Sequence, residues 1–314
     1  MSKKVALIGE SMLELSRQSR ELSSGNLSMN LSYGGDTLNS AVYMARLGVD
    51  VDYVTALGDD AMSAWMIQQW RDENVGCELI ERIHDSVPGI YLVSVDDSGE
   101  RSFSYWRDSA PARRLFDDQK KSENLFAELK EYDWLCLSGI TLAIYQESSR
   151  QRLFDLIARY RAAGGQVLFD SNYRPKLWES VASAQVAYQS MYQLTDLALP
   201  TLEDEQALFG DNDKNEIINR IKTWGVSEIV LKMGGTGCQV VCNDKSELVA
   251  SHKVDVIDTT SAGDSFNAGY LAARLKGSSP QEAALEGHNL ASVVIQHRGA
   301  IIPMHSMPNS SSTV

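Results

Sequence analysis

Apolar positions along this chain follow two rhythms. Short, nearly continuous apolar runs occupy 5–9, 51–58, 134–139, 166–170, 196–199 and 228–233. Runs of that length without polar alternation predict strands covered on both faces. Between them, apolar residues recur at a helical period, which predicts helices near 36–47, 61–73, 148–163, 181–192 and 213–223. Two longer helices, near 263–276 and 280–297, close the pattern, and Gly164-Gly165 marks a helix stop before the next strand. Strand–helix alternation at this spacing predicts an α/β fold: a mostly parallel sheet with helices on both sides. No internal repeat or long linker interrupts it, so residues 1–314 read as one domain.

Two segments break the rhythm. Residues 27–33 alternate strictly, which predicts a strand with one wet face. Residues 89–95 and 101–107 flank Asp96-Asp97-Ser98-Gly99-Glu100, a hairpin signal. Together they predict a small, discontinuous β lid drawn from about 11–33 and 88–108. The last residues, 307–314, are polar and expected to fray.

Composition narrows the function classes. The 314 residues are 43% hydrophobic, enough for a large core and unlike a disordered, collagenous or disulfide-stapled chain. A net charge of −13 argues against a nucleic-acid partner or an anionic membrane surface, since both require a positive face. It also requires any anionic substrate to meet locally supplied cations. No apolar run reaches membrane-spanning length, and the first one, Val5-Ala6-Leu7-Ile8, is too short for a signal-peptide core and reads as a strand. Cysteines at 77, 136, 238 and 242 are too scattered for a disulfide framework and read as free thiols in a cytoplasmic setting.

The densest chemical signal is Asp258-Thr259-Thr260-Ser261-Ala262-Gly263-Asp264, just before an amphipathic helix. Small residues there let backbone N–H groups approach a ligand, and the helix start adds partial positive charge, which suits phosphate. Asp264 would stand beside that anion hole, placed to take a proton from a hydroxyl. The same residues also suit a plain helix cap. A second glycine element, Gly34-Gly35-Asp36-Thr37-Leu38-Asn39, joins the alternating strand to a helix, and Asp36 and Asn39 offer ligands for hydroxyls; a tight turn with a cap explains it equally. A third, Lys232-Met233-Gly234-Gly235-Thr236-Gly237, follows a strand and suits either a nucleotide or a simple glycine hairpin. Tyr105-Trp106-Arg107 and Asn172-Tyr173-Arg174-Pro175 each set an Arg beside aromatics. If both face the cleft they can hold a carboxylate; otherwise they are surface ion pairs. There is no Walker-type Gly-x-x-x-x-Gly-Lys, no Gly-x-Gly-x-x-Gly after the first strand, no His-Glu-x-x-His and no Gly-x-Ser-x-Gly. His288 is the histidine placed nearest a cleft, with packing as its plainer role, and Trp65, Met66 and Trp70 read as core or interface.

The order and co-occurrence of these elements resemble the ribokinase-like (PfkB) family of sugar kinases from end to end. The 258–264 run is similar to that family's late signature, and Gly34-Gly35 with Asn39 and Ala41 to its early one. Gly58-Asp59-Asp60 also fits, although the usual Asp-x-x-Gly continuation is here Asp60-Ala61-Met62-Ser63. Within the family, Gly34–Asn39, Tyr105–Arg107, Leu137-Ser138-Gly139-Ile140, Asn172–Pro175 and His297-Arg298-Gly299-Ala300-Ile301-Ile302-Pro303 look most like members acting on the sugar acid 2-keto-3-deoxygluconate.

The resemblance implies a three-layer α/β/α sandwich with a β lid, and transfer of a phosphoryl group from ATP to the 6-hydroxyl of that acid. It implies Asp264 as the base, with Ser261, Ala262 and Gly263 as the anion hole. It implies that Gly34, Gly35, Asp36, Thr37, Leu38, Tyr91, Tyr105, Arg107 and Arg174 hold the sugar acid. Asn172, Lys232, Gly234, Gly235, Thr236, Gly237 and Asn289 would lie at the nucleotide. Mg²⁺ would accompany ATP. The family's magnesium-associated Asn-x-x-Glu is here Thr201-Leu202-Glu203-Asp204, so Asp204 would act through water and Thr201 not at all. A monovalent cation such as K⁺ near 258–260 and 296–299, and a homo-oligomer, complete the expectations. The rival readings are a neutral-sugar kinase of the same fold, acting on fructose, ribose or a nucleoside, and a non-catalytic sugar sensor.

Overall fold

The computed structural model describes residues 3–17, 28–95, 101–243 and 245–308. The lid stretch 18–27, the expected hairpin turn at 96–100 and the end of the polar tail at 309–314 lie outside the described residues.

Among the described residues the strands, in chain order, are β1 (Lys4–Ile8), β2 (Met12–Arg17), β3 (Met29–Gly34), β4 (Asp50–Gly58), β5 (Ile80–Ile83), β6 (Ile90–Val95), β7 (Arg101–Trp106), β8 (Trp134–Ser138), β9 (Gln166–Asp170), β10 (Leu197–Ala198), β11 (Glu228–Lys232), β12 (Cys238–Cys242) and β13 (Lys245–Val249). The α-helices are α1 (Asp36–Arg46), α2 (Ala61–Asp72), α3 (Gln119–Leu129), α4 (Gly139–Ile144), α5 (Glu147–Ala162), α6 (Val181–Tyr192), α7 (Leu202–Phe209), α8 (Lys214–Thr223), α9 (Ala262–Leu275) and α10 (Pro280–Val294).

The main sheet runs β13-β12-β11-β10-β9-β8-β1-β4-β5 among the described residues. From β5 to β11 every pairing is parallel, and β12 and β13 add an antiparallel edge. Strand side chains alternate between two cores, as continuous apolar runs require. Val5, Leu7 and Leu168 pack with α1, α2, α9 and α10 on one face. Ala6, Ile8, Val167 and Phe169 pack with α4, α5, α6, α7 and α8 on the other. The three-layer architecture follows directly from that double burial.

Local chemistry sets the helix starts. Ser138 and Thr141 cap α4 reciprocally, Ser180 and Ser183 do the same for α6, and Ser279 with Glu282 and Pro280 open α10. Arg46 grips both Glu73 oxygens at 2.7 and 2.6 Å and the Ile302 carbonyl at 2.6 Å. Tyr43 donates to the Ala300 carbonyl at 2.7 Å. These bidentate and charge-assisted bonds fasten α1 to the end of the chain, and α1 carries part of the site described below.

The second sheet runs β3-β2-β6-β7, antiparallel except for the β2–β6 pair. The strict alternation of 27–33 predicts one buried and one wet face for β3, and the structure differs. Leu31 is 43% exposed, whereas Tyr33 reaches Trp65 and Trp70. Within the same small sheet Met12, Tyr91 and Val93 are buried and pack together, so burial is confined to part of it. Trp106, at the end of β7, is 61% exposed. Met66 and Trp70 are core residues, Trp70 stacking edge-on against Tyr53.

Candidate active site

The residues singled out in the sequence gather at the carboxyl edge of the parallel strands, where open α/β sheets place ligands. Helix α9 begins there. Its N-cap, Ser261, takes a left-handed conformation (φ 64°), and Asp264 lies in the first turn. A non-glycine residue in that region is strained by about 1–3 kcal/mol, a cost typical of functional turns. The Ala262 N–H closes back on the Thr259 carbonyl at 3.2 Å, and the positive end of the α9 dipole lies at this turn.

Asn39, one turn into α1, donates to Asp264 Oδ2 at 2.8 Å, and Ser40 donates to the Asp264 carbonyl at 3.0 Å. Burial pushes the Asp264 carboxyl up to about 7, with the charges of Asp36 and Asp170 adding to the rise and the Asn39 amide opposing it. Such a group titrates near neutrality, which is where a general base is most effective.

Asp36 starts α1. Its pKa is also raised, first by burial, with the Ser138 hydroxyl and the Thr37 amide pulling it back and Asp170 pushing it further. The Thr37 N–H donates to Asp36 Oδ1 at 2.8 Å, and Asn172 Nδ2 donates to Oδ2 at 2.6 Å. Gly35 sits against the chain leaving β1: a Cβ there would collide with the Glu10 carbonyl. This close approach, rather than a special φ, requires the glycine.

Several expected roles change once positions are known. Leu38 is fully buried in the core, and the Thr37 hydroxyl is bonded to Tyr53 at 3.1 Å, so neither side chain faces the cleft. Asn172, expected at the nucleotide, donates to Asp36. Arg107 is 8% exposed and paired with Glu10 in a buried ion pair. Arg174 is half-exposed; its Nη1 donates to the Tyr173 carbonyl at 2.8 Å and lies 3.6 Å from Asp204. Both guanidiniums therefore have acidic neighbours, and Arg174 is the more accessible of the two. Tyr91 donates its hydroxyl to Glu14 and packs 5.9 Å from Tyr105 across the small sheet. His288 packs on Phe266 and meets the Val249 carbonyl at 3.2 Å, a structural position.

The loop 233–237 is a single 3₁₀ turn closed by Met233 N–H to the Gly237 carbonyl at 2.8 Å, and Ser251 donates to the Gly235 carbonyl at 2.6 Å. Helix α10, which carries half-buried Asn289, packs against β12 and β13 beside it. Asp258 draws the expected cation segments together: it accepts from Thr260 N–H at 3.1 Å and Gly299 N–H at 2.7 Å. Asp204, in the first turn of α7, accepts from Tyr173 N–H at 3.2 Å. Its neighbour Glu205 points the other way, into a buried network with Tyr192 and Arg220 that fixes the helix; burial raises Glu205 to about 7. Thr201 makes no side-chain cap and donates its N–H to Ser171.

Glu10, Glu14, Asp170 and Asn267 escaped the sequence reading. The signal was available for Asp170, a polar residue ending a buried strand at the ligand edge. Glu10 had no comparable cue. Buried Glu10 Oε1, Arg107 Nε and Asn39 Oδ1 have no protein partner among the described residues, the condition of polar groups that a ligand rich in hydroxyls would complete.

The start of α9 thus sets the Asp264 carboxyl, raised to about 7, beside the Asp36 and Asn172 side chains at the ends of the parallel strands. The chain belongs to the pfkB family of carbohydrate kinases, whose model matches residues 2–307. It is 46% identical to the 2-dehydro-3-deoxygluconokinase of Escherichia coli K12 over 98% of this chain and 100% of that protein. It is 44% identical to the 2-dehydro-3-deoxygluconokinase of Dickeya dadantii, over 98% of this chain and 99% of that protein. Among solved structures, the fold matches a putative ribokinase II of E. coli in complex with ATP and Mg²⁺, at TM-score 0.84 and 20% identity, covering 98% of this chain and 96% of that one.

Proposed function

We propose that the protein is an ATP-dependent kinase that phosphorylates the 6-hydroxyl of 2-keto-3-deoxygluconate, the acid also called 2-dehydro-3-deoxygluconate. The observation that carries this reading is Asp264, poised near neutrality in the first turn of α9 and held by Asn39. The 44–46% identity to kinases named for that acid supports the substrate.

The residues act as follows. Asp36 and Asn172, with the 34–35 backbone, hold the hydroxyls of the sugar acid. Arg174 takes its carboxylate, because its guanidinium is accessible and only loosely engaged by Asp204 at 3.6 Å. Arg107, neutralised by Glu10, shapes the pocket and orients Tyr105, whose ring lies 5.6 Å from its guanidinium. ATP lies along the 233–237 loop and Asn289. The sugar hydroxyl oxygen attacks the γ-phosphorus, the bond to the β–γ bridging oxygen breaks, ADP leaves, and the hydroxyl proton passes to Asp264. The amides of the 261–263 turn stabilise the charge on the transferring group. The small sheet closes over the site as a lid and excludes water, which would otherwise hydrolyse ATP.

Mg²⁺, when bound with ATP, neutralises charge on its phosphates. A single carboxylate beside substrate phosphates suits that ion, and Asp204 is the residue that would reach its hydration shell. A K⁺ site at the Asp258 junction, a homo-oligomer joined through the exposed Leu31 and Trp106 of the small sheet, and a cytoplasmic setting that keeps the four thiols free belong to the same proposal.

The test is ADP release by the purified protein with ATP, Mg²⁺ and one of 2-keto-3-deoxygluconate, gluconate, fructose or ribose. A kcat/KM at least about tenfold higher for the keto acid is expected, the least that a carboxylate-binding contact should give. Preference for fructose or ribose would discard the carboxylate role of Arg174. Absence of turnover with all four would favour a sugar sensor.

A further inference from the structure

Asp170 ends β9 at the ligand edge, is 6% exposed, and has both carboxylate oxygens engaged. Its Oδ1 accepts from Lys232 Nζ at 3.0 Å and its Oδ2 from Asn267 Nδ2 at 2.8 Å. Lys232 Nζ also donates to Asn267 Oδ1 at 3.1 Å. The three side chains close a triangle across β9, β11 and α9.

Its position gives the triangle meaning. Asn267 lies three residues after Asp264 on the same helix, directly beneath the first turn. A methyl group built on Gly263 would stand 3.5 Å from Lys232 Nζ, so the ammonium lies immediately behind the anion hole. A buried ammonium and a buried carboxylate are costly unless each is paired and hydrogen-bonded. Here each also holds one end of the same amide, which leaves the cation a single well-defined place. Lys232, expected at the nucleotide, sends its side chain to Asp170 and Asn267 beside Gly263 at the start of α9.

We infer that Asp170 is a positioning residue for phosphoryl transfer, holding Lys232 and Asn267 so that the anion hole and Asp264 keep one fixed placement over the sheet with the ammonium behind them. This rests on the reading of the α9 turn as the phosphoryl site. Without Asp170 the ammonium is released toward the phosphates and the amide loses its anchor. The fixed geometry that stabilises the transition state is then degraded, while the sugar contacts of α1 remain.

The charged or titratable groups electrostatically coupled to Asp264 are Asp36 and Tyr43 from α1, Tyr91 from β6 and Asp170 from β9, and Lys232 Nζ from β11 approaches the adjoining Gly263. Losing the Asp170 charge leaves Lys232 uncompensated, and both changes favour ionised Asp264. Losing the Lys232 charge does the opposite.

The experiment is steady-state kinetics of D170N, K232M and the double variant across about pH 5.5 to about pH 9. Each variant's fold is checked by thermal melting. D170N should lose about 10- to 100-fold in kcat, with KM for the acceptor within about threefold of wild type. Its acid limb should move to lower pH, and that of K232M to higher pH. The double variant should lose no more than about twofold beyond the worse single, since the pair acts as a unit. A folded D170N with kcat within about threefold of wild type, losses confined to KM, or limbs that do not move in opposite directions would overturn the inference. Should D170N not fold, N267A carries the test, and wild-type kcat for it refutes the triangle. A wild type that prefers a neutral sugar would sink the substrate reading alone, and the same comparison would then be made with that sugar. A wild type that transfers to no acceptor sinks both.

Discussion

Replacing Asn39 with alanine isolates one hydrogen bond at the centre of the site. The amide donates to Asp264 Oδ2 at 2.8 Å and is among the influences that hold the carboxyl down against burial and the Asp36 charge. A hydrogen bond to a charged group is worth about 1.5–3 kcal/mol, less where water still reaches. Asp264 is half-buried as a residue, so about 1.4 kcal/mol is a reasonable share, equivalent to about one pKa unit. From about 7, the Asp264 carboxyl should therefore rise by about one unit in Asn39→Ala. At pH 7 the ionised fraction drops from about one half to about one tenth, so kcat/KM falls about fivefold and recovers above about pH 9. The assay is coupled ADP release against pH, where kcat/KM reports the free enzyme. The fold should respond with the same sign. A carboxyl whose folded pKa lies above its unfolded value of 3.8 contributes stability below that value, and loses it as pH rises through about 7. Asn39→Ala should consequently lower Tm more at alkaline than at acidic pH. An acid limb that stays put or moves down, or a loss of equal size at every pH, would refute the assignment of this bond and of the base.

Two further changes test neighbouring parts. Asp264→Asn should nearly abolish turnover while sparing binding of both substrates, because the base is lost and the shape is kept. It should leave Tm unchanged below about pH 4 and raise it increasingly from there to about pH 7, where the wild type must bury a charge; wild-type turnover in the folded variant would remove Asp264 from the mechanism. Arg174→Ala should raise KM for the sugar acid at least about tenfold with little change for ATP. Equal effects on both would end its role as the carboxylate ligand.

How much of this was legible in the sequence differs from residue to residue, and the differences have causes. Apolar rhythm placed α6 at 181–192 and β9 at 166–170 because a buried helix face and a doubly covered strand leave unambiguous periods. It missed α3, α4 and α7, which are short or strongly polar, and the antiparallel edge β12–β13, whose direction depends on pairing and not on period. Glycine and polar motifs marked Asp36 and Asp264 because local backbone approach demands small residues beside them. Whether a side chain such as Arg107 serves as a free cation is a question about its neighbours, and Glu10 lies 97 residues away in the chain.

Local composition and pattern were therefore enough to establish the α/β class, the helix start at 261–264 and the acidic balance that any anionic substrate must overcome. Each of these depends on residues within a few turns of one another. The tertiary structure alone decided the charge state and company of the site: the Asp264 carboxyl raised by burial and then by Asp36 and Asp170, Arg107 paired with Glu10, and Lys232 held beside the start of α9 by Asp170 and Asn267. Electrostatics in a desolvated cleft depends on distance and burial. Both are set by which strands lie side by side, and that is a property of the folded sheet.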